Sequence, residues 1–244
     1  MNGEVIMKFS IDYRTMWHDT DAHRLVRPSA LLVYMQETSN QHVASIGMPL
    51  DDLRDQKDLA FILSKIRIAI HRRPAAFENI KVETWTVEPK GFSSIRCFRI
   101  LAGEEVLAEC DSVWALVDTK ERKLHRFDET GYEFENEEAL ILSVPSRTRA
   151  PSDLTLEKIG ERTILYSDLD YNMHMNNTRY PDMLCDYMPM DEVDRISSIT
   201  LSYLNEAAFG KTVEIYRAKK DGYYYFKTVN NDGVVCLEAI IGVN

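Results

Sequence analysis

Between residues 168 and 176 polar side chains alternate with apolar ones: Asp168-Leu169-Asp170-Tyr171-Asn172-Met173-His174-Met175-Asn176, with Asn177 next. In an extended segment alternate side chains point to the same side, so this spacing predicts Asp170, Asn172 and His174 on one surface. A helix is expected to follow, and its unpaired N–H groups and positive dipole end suit a developing oxyanion. An acyl-transfer site needs such donors together with a base that activates a nucleophile. A polar loop that caps the helix accounts for the same residues equally well, because Asn and Asp favour turns and caps. A calcium loop does not: Met173 stands where glycine is needed and Arg179 where the closing glutamate belongs. Zinc would need further His, Cys or carboxylate ligands at regular spacing, and His174 has no neighbouring histidine. No metal and no cofactor is expected.

A second ionisable group is Glu206, within Tyr203-Leu204-Asn205-Glu206-Ala207-Ala208-Phe209. Ile199, Leu201 and Tyr203 alternate as a strand, which puts Glu206 at its end, before a turn at Gly210. An acid at a strand end is ordinarily just solvated. Comparison of the two halves of the chain changes its weight. Asp19-Thr20-Asp21-Ala22-His23 resembles Asp168-Leu169-Asp170-Tyr171-Asn172, at an offset of 168 − 19 = 149. Ala75-Ala76-Phe77 matches Ala207-Ala208-Phe209, at 207 − 75 = 132. On that alignment the first half carries Leu25 in place of His174 and Pro74 in place of Glu206, so only the second copy is equipped for proton transfer.

The elements that must position these groups repeat too. In the first half, Phe9 to Met16 reads as a strand and Pro28 to Ile46 as a helix, with Pro at a permitted first-turn position and Gly47 as the stop. Leu32, Met35, Val43 and Ile46 fall on one face of it. Gly47 to Leu59 absorbs the difference between the offsets as a longer helix and polar loop. Strands follow at Phe61 to Ile70, Ile80 to Glu88, Ser93 to Leu101 and Val106 to Val117. The second half reads as a strand at Arg162 to Tyr166 and a shorter helix near Thr178 to Met188. Four strands come after it: Ile199 to Leu204, Thr212 to Lys219, Tyr223 to Val229 and Val234 to Gly242. Asp221-Gly222 and Asp232-Gly233 mark hairpin turns. Each half is one strand, one helix and an antiparallel meander, which packs as a sheet wrapped around the helix. That is a hotdog fold, and two in tandem make an α+β double hotdog. The expected organisation is residues 1–130 as a first domain that lacks catalytic groups, 131–160 as a charged, proline-containing linker, and 161–244 as the catalytic domain.

Composition narrows the class. With 39 acidic against 29 basic residues the net charge is −10, which argues against nucleic-acid binding, since that needs a basic footprint. No uncharged apolar stretch approaches about 18 residues, so no membrane span is expected. Met1 to Arg14 lacks the apolar run of a signal peptide, and a cytoplasmic location is expected. Cys97, Cys110, Cys185 and Cys236 are irregularly spaced with no C-x-x-C pair, so four buried free thiols are expected.

The pattern Asp170-x-Asn172-x-His174-x-Asn176-Asn177-x-x-Tyr180, followed by Leu201-x-Tyr203-x-x-Glu206, resembles the acyl-acyl carrier protein thioesterases of plants and bacteria. The resemblance extends more loosely over nearly the whole chain, including the Asp19 region and the Pro28 helix. It implies a double hotdog, an active site of Asp170, Asn172, His174 and Glu206, and a fatty acyl chain carried on acyl carrier protein. Asn176 and Asn177, in the same motif, are expected to bind substrate. Some members carry a cysteine directly after the glutamate; Ala207 occupies that position, which removes a Cys–His mechanism there. Pro181 also departs from the pattern and fits only a helix that begins near Thr178.

The expected chemistry is hydrolysis by water, with Glu206 as general base assisted by His174, which can also protonate the leaving thiolate or hold the water. Asn172 and helix-start N–H groups polarise the carbonyl, and Asp170 orients the Asn–His segment or holds the charge of His174. Direct attack by Asp170 is the variant, and trapping of an acyl-enzyme would favour it. Met35, Met48, Phe61, Trp85 and Trp114 are candidates to line the acyl pocket, and ordinary core packing is the alternative for each. Arg67, Arg72, Arg73, Arg96 and Arg99 are the candidate basic patch for an acidic carrier protein, or else a solvated face. The rival readings are an acyl-CoA thioesterase, a hotdog dehydratase on hydroxyacyl thioesters, and a non-catalytic acyl-thioester sensor. A monomer is feasible because one chain supplies both hotdog units, and a homodimer is the other possibility.

Overall fold

The computed structural model describes residues 8–48, 50–127 and 136–244. Its strands are β1 (Phe9–Arg14), β2 (Leu59–Ile70), β3 (Asn79–Lys90), β4 (Ser93–Ala102), β5 (Glu105–Asp118) and β6 (Lys123–His125) in the first half. The second half has β7 (Glu157–Thr163), β8 (Ile196–Tyr203), β9 (Thr212–Lys220), β10 (Tyr223–Asn230) and β11 (Val235–Val243). The helices are α1 (Pro28–Ser45), α2 (Leu50–Lys57), α3 (Tyr180–Cys185) and α4 (Met190–Val193).

All the strands join one antiparallel sheet in the order β1-β3-β4-β5-β2-β8-β11-β10-β9-β7, with β6 added to β5. The order reads the same from either edge once each strand is replaced by its counterpart in the other half. This is the duplicated hotdog architecture, α+β throughout. The halves meet at β2 and β8, where Lys65 to Ala69 pair with Ser202 to Ser198. Ile68 and Ile199 face each other there and are fully buried. β8 is buried along nearly its whole length, whereas a sheet open on one side would show strict alternation. The linker explains this, because it lies across the seam. Thr200 donates to the Pro145 carbonyl (2.9 Å), Thr148 to Ser202 (2.9 Å), and Lys65 to the Ser146 carbonyl (2.9 Å).

α1 starts at Pro28 as its sequence suggests and buries Leu31, Leu32, Met35 and Val43. Ile46 lies just past the last turn and is exposed; Gly47, at φ 78°, stops the helix there. The N–H of Ser29 at the start of α1 would be an orphan in an isolated helix. Here Asp182 of α3 accepts from both the Ser29 N–H (3.0 Å) and its hydroxyl (2.5 Å), so one half caps the central helix of the other.

The second half departs from expectation at two elements. β7 spans Glu157–Thr163 rather than starting at Arg162, so Glu157 to Gly160, read as linker, are strand paired to β9. The helix expected over Thr178 to Met188 is a 3₁₀ turn at Asn177–Arg179 followed by the six-residue α3. Pro181 sits in the first turn, and Pro189 pushes its preceding residue out of the α region, so α3 has little room. The four cysteines are free; Cys185 is only partly buried.

Candidate active site

The segment expected to be extended is a tight turn. Leu169 and Met175 pair across it as an isolated bridge, and Met173 sits at its tip at φ 66°. Oδ1 of Asp170 accepts the backbone N–H of Asn172 (2.8 Å) and of His174 (3.3 Å), while the Asp170 N–H donates to the His174 carbonyl (2.9 Å). Asp170 therefore shapes the turn. The alternation that suggested a common face arises from a different cause: Asp and Asn hold turns through their own backbone. Asp168 is also structural, buried and bonded to the Leu165 N–H (3.0 Å) and to Arg162 (2.5 Å).

The turn presents His174 to Glu206. His174 pairs by its backbone with Ala208, which follows Glu206 by two residues. Nε2 of His174 lies 3.1 Å from Oε2 of Glu206, with the histidine side chain 29% and the glutamate side chain 70% exposed. Glu206 lies beyond the end of β8, in the loop that leads to Gly210 at φ 72°. That distance is within direct hydrogen-bond reach, and the exposed carboxylate is open to water. Beneath it the Cys236 thiol lies 3.6 Å from the Glu206 carbonyl oxygen; burial pushes this thiol up, which keeps it from acting as a nucleophile.

Asn172 is held from the other half of the molecule. Nη1 of Arg54, on α2, donates to Asn172 Oδ1 (2.9 Å), and the Arg54 guanidinium lies 4.9 Å from the Tyr171 ring centre. Arginine is only a donor, so this bond turns the amide oxygen toward α2 and leaves the NH₂ of Asn172 to donate elsewhere. Sequence reading missed Arg54, whose helix shows no pattern beyond a charged surface. Asn176, expected to meet substrate, is instead the cap of the 3₁₀ turn: its Oδ1 accepts from the Thr178 N–H (2.9 Å) and hydroxyl (2.8 Å). One of the helix-start N–H groups assigned to the oxyanion is thereby occupied.

Two open cavities lie between α1 and the sheet. The nearer one is walled by Leu32, Met35, Leu63, Phe98, Asn177 and Tyr203 among others. The farther one includes Val43, Phe61, Ser94, Arg96 and Phe127. Trp114 borders both. Phe61, Trp114, Met35 and Asn177 border these cavities. Met48 does not: it is buried against Val43, Leu53, Leu59, Leu116 and Phe127. Trp85 does not either: it is buried, with its N–H donated to the Glu138 carbonyl (3.0 Å).

The arginines do not form a basic patch. Arg67 pairs with Asp111 (Nε–Oδ1 2.8 Å), Arg99 with Glu109 (2.9 Å), and Arg72 with Glu78 (2.8 Å) and Glu105 (2.7 Å). Arg73 and Arg96 are buried. Cross-strand register sets two of these pairs, since Arg67 stands opposite Asp111 and Arg99 opposite Glu109.

The backbone also corrects the repeat. Leu25 bridges Ala75 as His174 bridges Ala208, an offset of 208 − 75 = 133. The Val26 N–H donates to the Pro74 carbonyl as the Met175 N–H does to that of Ala207. The Ala-Ala-Phe match was one residue out, and the counterpart of Glu206 is Arg73, not Pro74.

Models of two family domains match the chain: the acyl-ACP thioesterase N-terminal domain over residues 7–133 and the C-terminal domain over residues 153–242. The chain belongs to the acyl-ACP thioesterase family. An acyl-[acyl-carrier-protein] hydrolase of Cuphea viscosissima is 26% identical over 217 residues, 81% of this chain and 52% of that protein. A dodecanoyl-[acyl-carrier-protein] hydrolase of Umbellularia californica is 28% identical over 193 residues, 72% of this chain and 50% of that protein. The chain spans about half the length of the curated relatives it matches. Among solved structures, an acyl-ACP thioesterase from Bacteroides thetaiotaomicron superposes with a TM-score of 0.88 at 19% identity, over 98% of both chains. The 12:0-ACP thioesterase from Umbellularia californica gives 0.85 at 21% identity, over 98% of this chain and 97% of that one. At these identities the likeness establishes the acyl-ACP thioesterase fold.

Proposed function

We propose that this chain hydrolyses fatty acyl thioesters of acyl carrier protein, releasing the free acid and the carrier thiol. The observation that carries this reading is the His174–Glu206 contact of 3.1 Å in a chain of the acyl-ACP thioesterase family. Glu206 takes a proton from water as the water attacks the thioester carbonyl. His174, in contact with Glu206, holds that water and returns a proton to the departing thiolate. The NH₂ of Asn172, directed by Arg54, donates to the carbonyl oxygen as it gains charge. Asp170 keeps the turn closed; its engaged Oδ1 favours this role over nucleophilic attack. The acyl chain runs from Asn177 along the nearer cavity. Relatives named as hydrolases of acyl-[acyl-carrier-protein] support the carrier-bound substrate.

Thiol release from acyl-carrier protein and from acyl-CoA, followed side by side, tests the proposal. Faster release from the carrier-bound thioester, abolished in Glu206→Gln, is the expected result. Preference for acyl-CoA would move the assignment to that substrate, loss of water without thiol release would indicate a dehydratase, and no turnover would refute an enzyme.

A further inference from the structure

Arg96 occupies a place where the fold calls for an apolar side chain. On β4 the residues that alternate inward with it are Ser94, Phe98 and Ile100, all buried. Arg96 itself is 6% exposed and borders the farther cavity. Its side chain donates to Nδ1 of His42 (2.9 Å) and to the Thr84 hydroxyl (3.2 Å), both from Nη1. Since arginine cannot accept, His42 must supply a lone pair and is the neutral tautomer with its proton on Nε2. Burial, with the charge of Arg96 as the second cause, pushes His42 down to about 4. Among the described residues no carboxylate pairs with Arg96, in contrast to Arg67, Arg72, Arg73 and Arg99. A guanidinium cannot shed its charge, and burying one without a counter-charge is costly. Nε and Nη2 remain available beside a cavity that also holds Ser39, Asn40 and Ser94.

The two cavities are neighbours. The nearer one starts at Asn177 and Thr178, just after the His174 turn, and Trp114 borders both it and the one that holds Arg96. A thioester anchored at His174 would send its methylenes through the first cavity and its far end into the second. We propose that Arg96 receives an oxygen acceptor at the distal end of the acyl chain, so that the preferred substrate ends in a carboxylate, hydroxyl or carbonyl rather than a methyl group. This rests on the thioesterase reading for the position of the thioester, but not for the binding chemistry of Arg96.

The test uses carrier-protein thioesters of a series of chain lengths ending in methyl, hydroxyl or carboxylate, with kcat/KM measured for the wild type and Arg96→Met. The wild type is expected to favour an oxygen-bearing end by about tenfold or more at the length that reaches Arg96, and Arg96→Met is expected to lose or reverse that preference. The wild-type ratio alone decides if the variant does not fold: equal rates, or faster methyl-ended chains at every length, overturn the proposal. If plain fatty acids inhibit the wild type but not Arg96→Met, with no preference among thioester ends, Arg96 binds the product carboxylate and the substrate assignment falls. Calorimetric binding of an α,ω-diacid and of the matching monoacid separates the two readings. If no thioester is cleaved yet the diacid binds in an Arg96-dependent way, hydrolysis is wrong and the oxygen-binding cavity stands. If methyl-ended thioesters are cleaved and the diacid shows no advantage, the reverse holds.

Discussion

Residues 19–27 and 168–176 build the same turn twice. Arg24 and Met173 both take positive φ, at 64° and 66°. Asp21 and Asp170 each accept the N–H groups two and four residues on. Each turn is also gripped from the opposite half, at equivalent positions: Arg54 of α2 bonds Asn172, and Asp194, just after α4, lies 3.2 Å from His23. The side chains then diverge. Where the second turn has His174 facing Glu206, the first has Leu25 and Arg73, and Arg73 is bound to Asp21 (2.7 Å) and Asp194 (3.1 Å) with its side chain 2% exposed. A backbone frame held by main-chain and Asp bonds can therefore carry either an open acid–imidazole pair or a sealed ion cluster. Position in the frame does not decide function; exposure and the partner do.

Substitutions at the matched positions should have opposite consequences. Glu206→Gln should lower kcat by about 10²–10⁴ while thermal melting stays near wild type, because the acid is mostly exposed; an equal loss of stability would make the two turns alike. Arg73→Met should do the converse. It strands two carboxylates and should cost about 3–5 kcal/mol in urea unfolding, with the kcat of the protein that remains folded changed far less than by Glu206→Gln. Arg54→Ala should lower kcat about five- to tenfold with KM nearly constant, and should add nothing in an Asn172→Ala background; additive losses would separate Arg54 from Asn172. The smallest effect concerns acid stability. Burial opposes it, but the bond and charge of Arg73, with the N–H groups of Leu25 and His23, hold the Asp21 carboxyl below its usual value. The unfolded chain then binds more protons in acid, so the contribution of Asp21 is complete above about pH 4 and fades as the pH falls below it. Asp21→Asn keeps an acceptor for the turn and should flatten that acid limb of the melting temperature.

Much of this architecture was legible in the residues. Strict alternation and the Asp221-Gly222 turn located the meander strands to within a few residues, because a half-buried sheet writes its period into the chain. The His174–Glu206 partnership came from motif and repeat together. Other features had no local signature. Alternation through 168–176 looked extended because a turn held by Asp and Asn has the same composition as a polar strand. The repeat was misaligned by one residue because Ala-Ala-Phe is a weak match and the hydrogen bonds that define the true register are long-range. Arg73 and Arg96 read as surface charge, since nothing along the chain reveals which arginines the tertiary fold will cover. Arg54 reaches Asn172 from 118 positions away, a contact only the tertiary fold creates.

The seam between β2 and β8 has a genetic consequence. Two hotdog units assembled from identical chains would express every mutation twice, so an arginine replacing one catalytic glutamate would also replace the other. Joined in one polypeptide across a shared sheet, the units stay paired at any dilution and mutate independently. One copy can thereby serve as a rigid support and a cavity wall while the other holds an exposed acid.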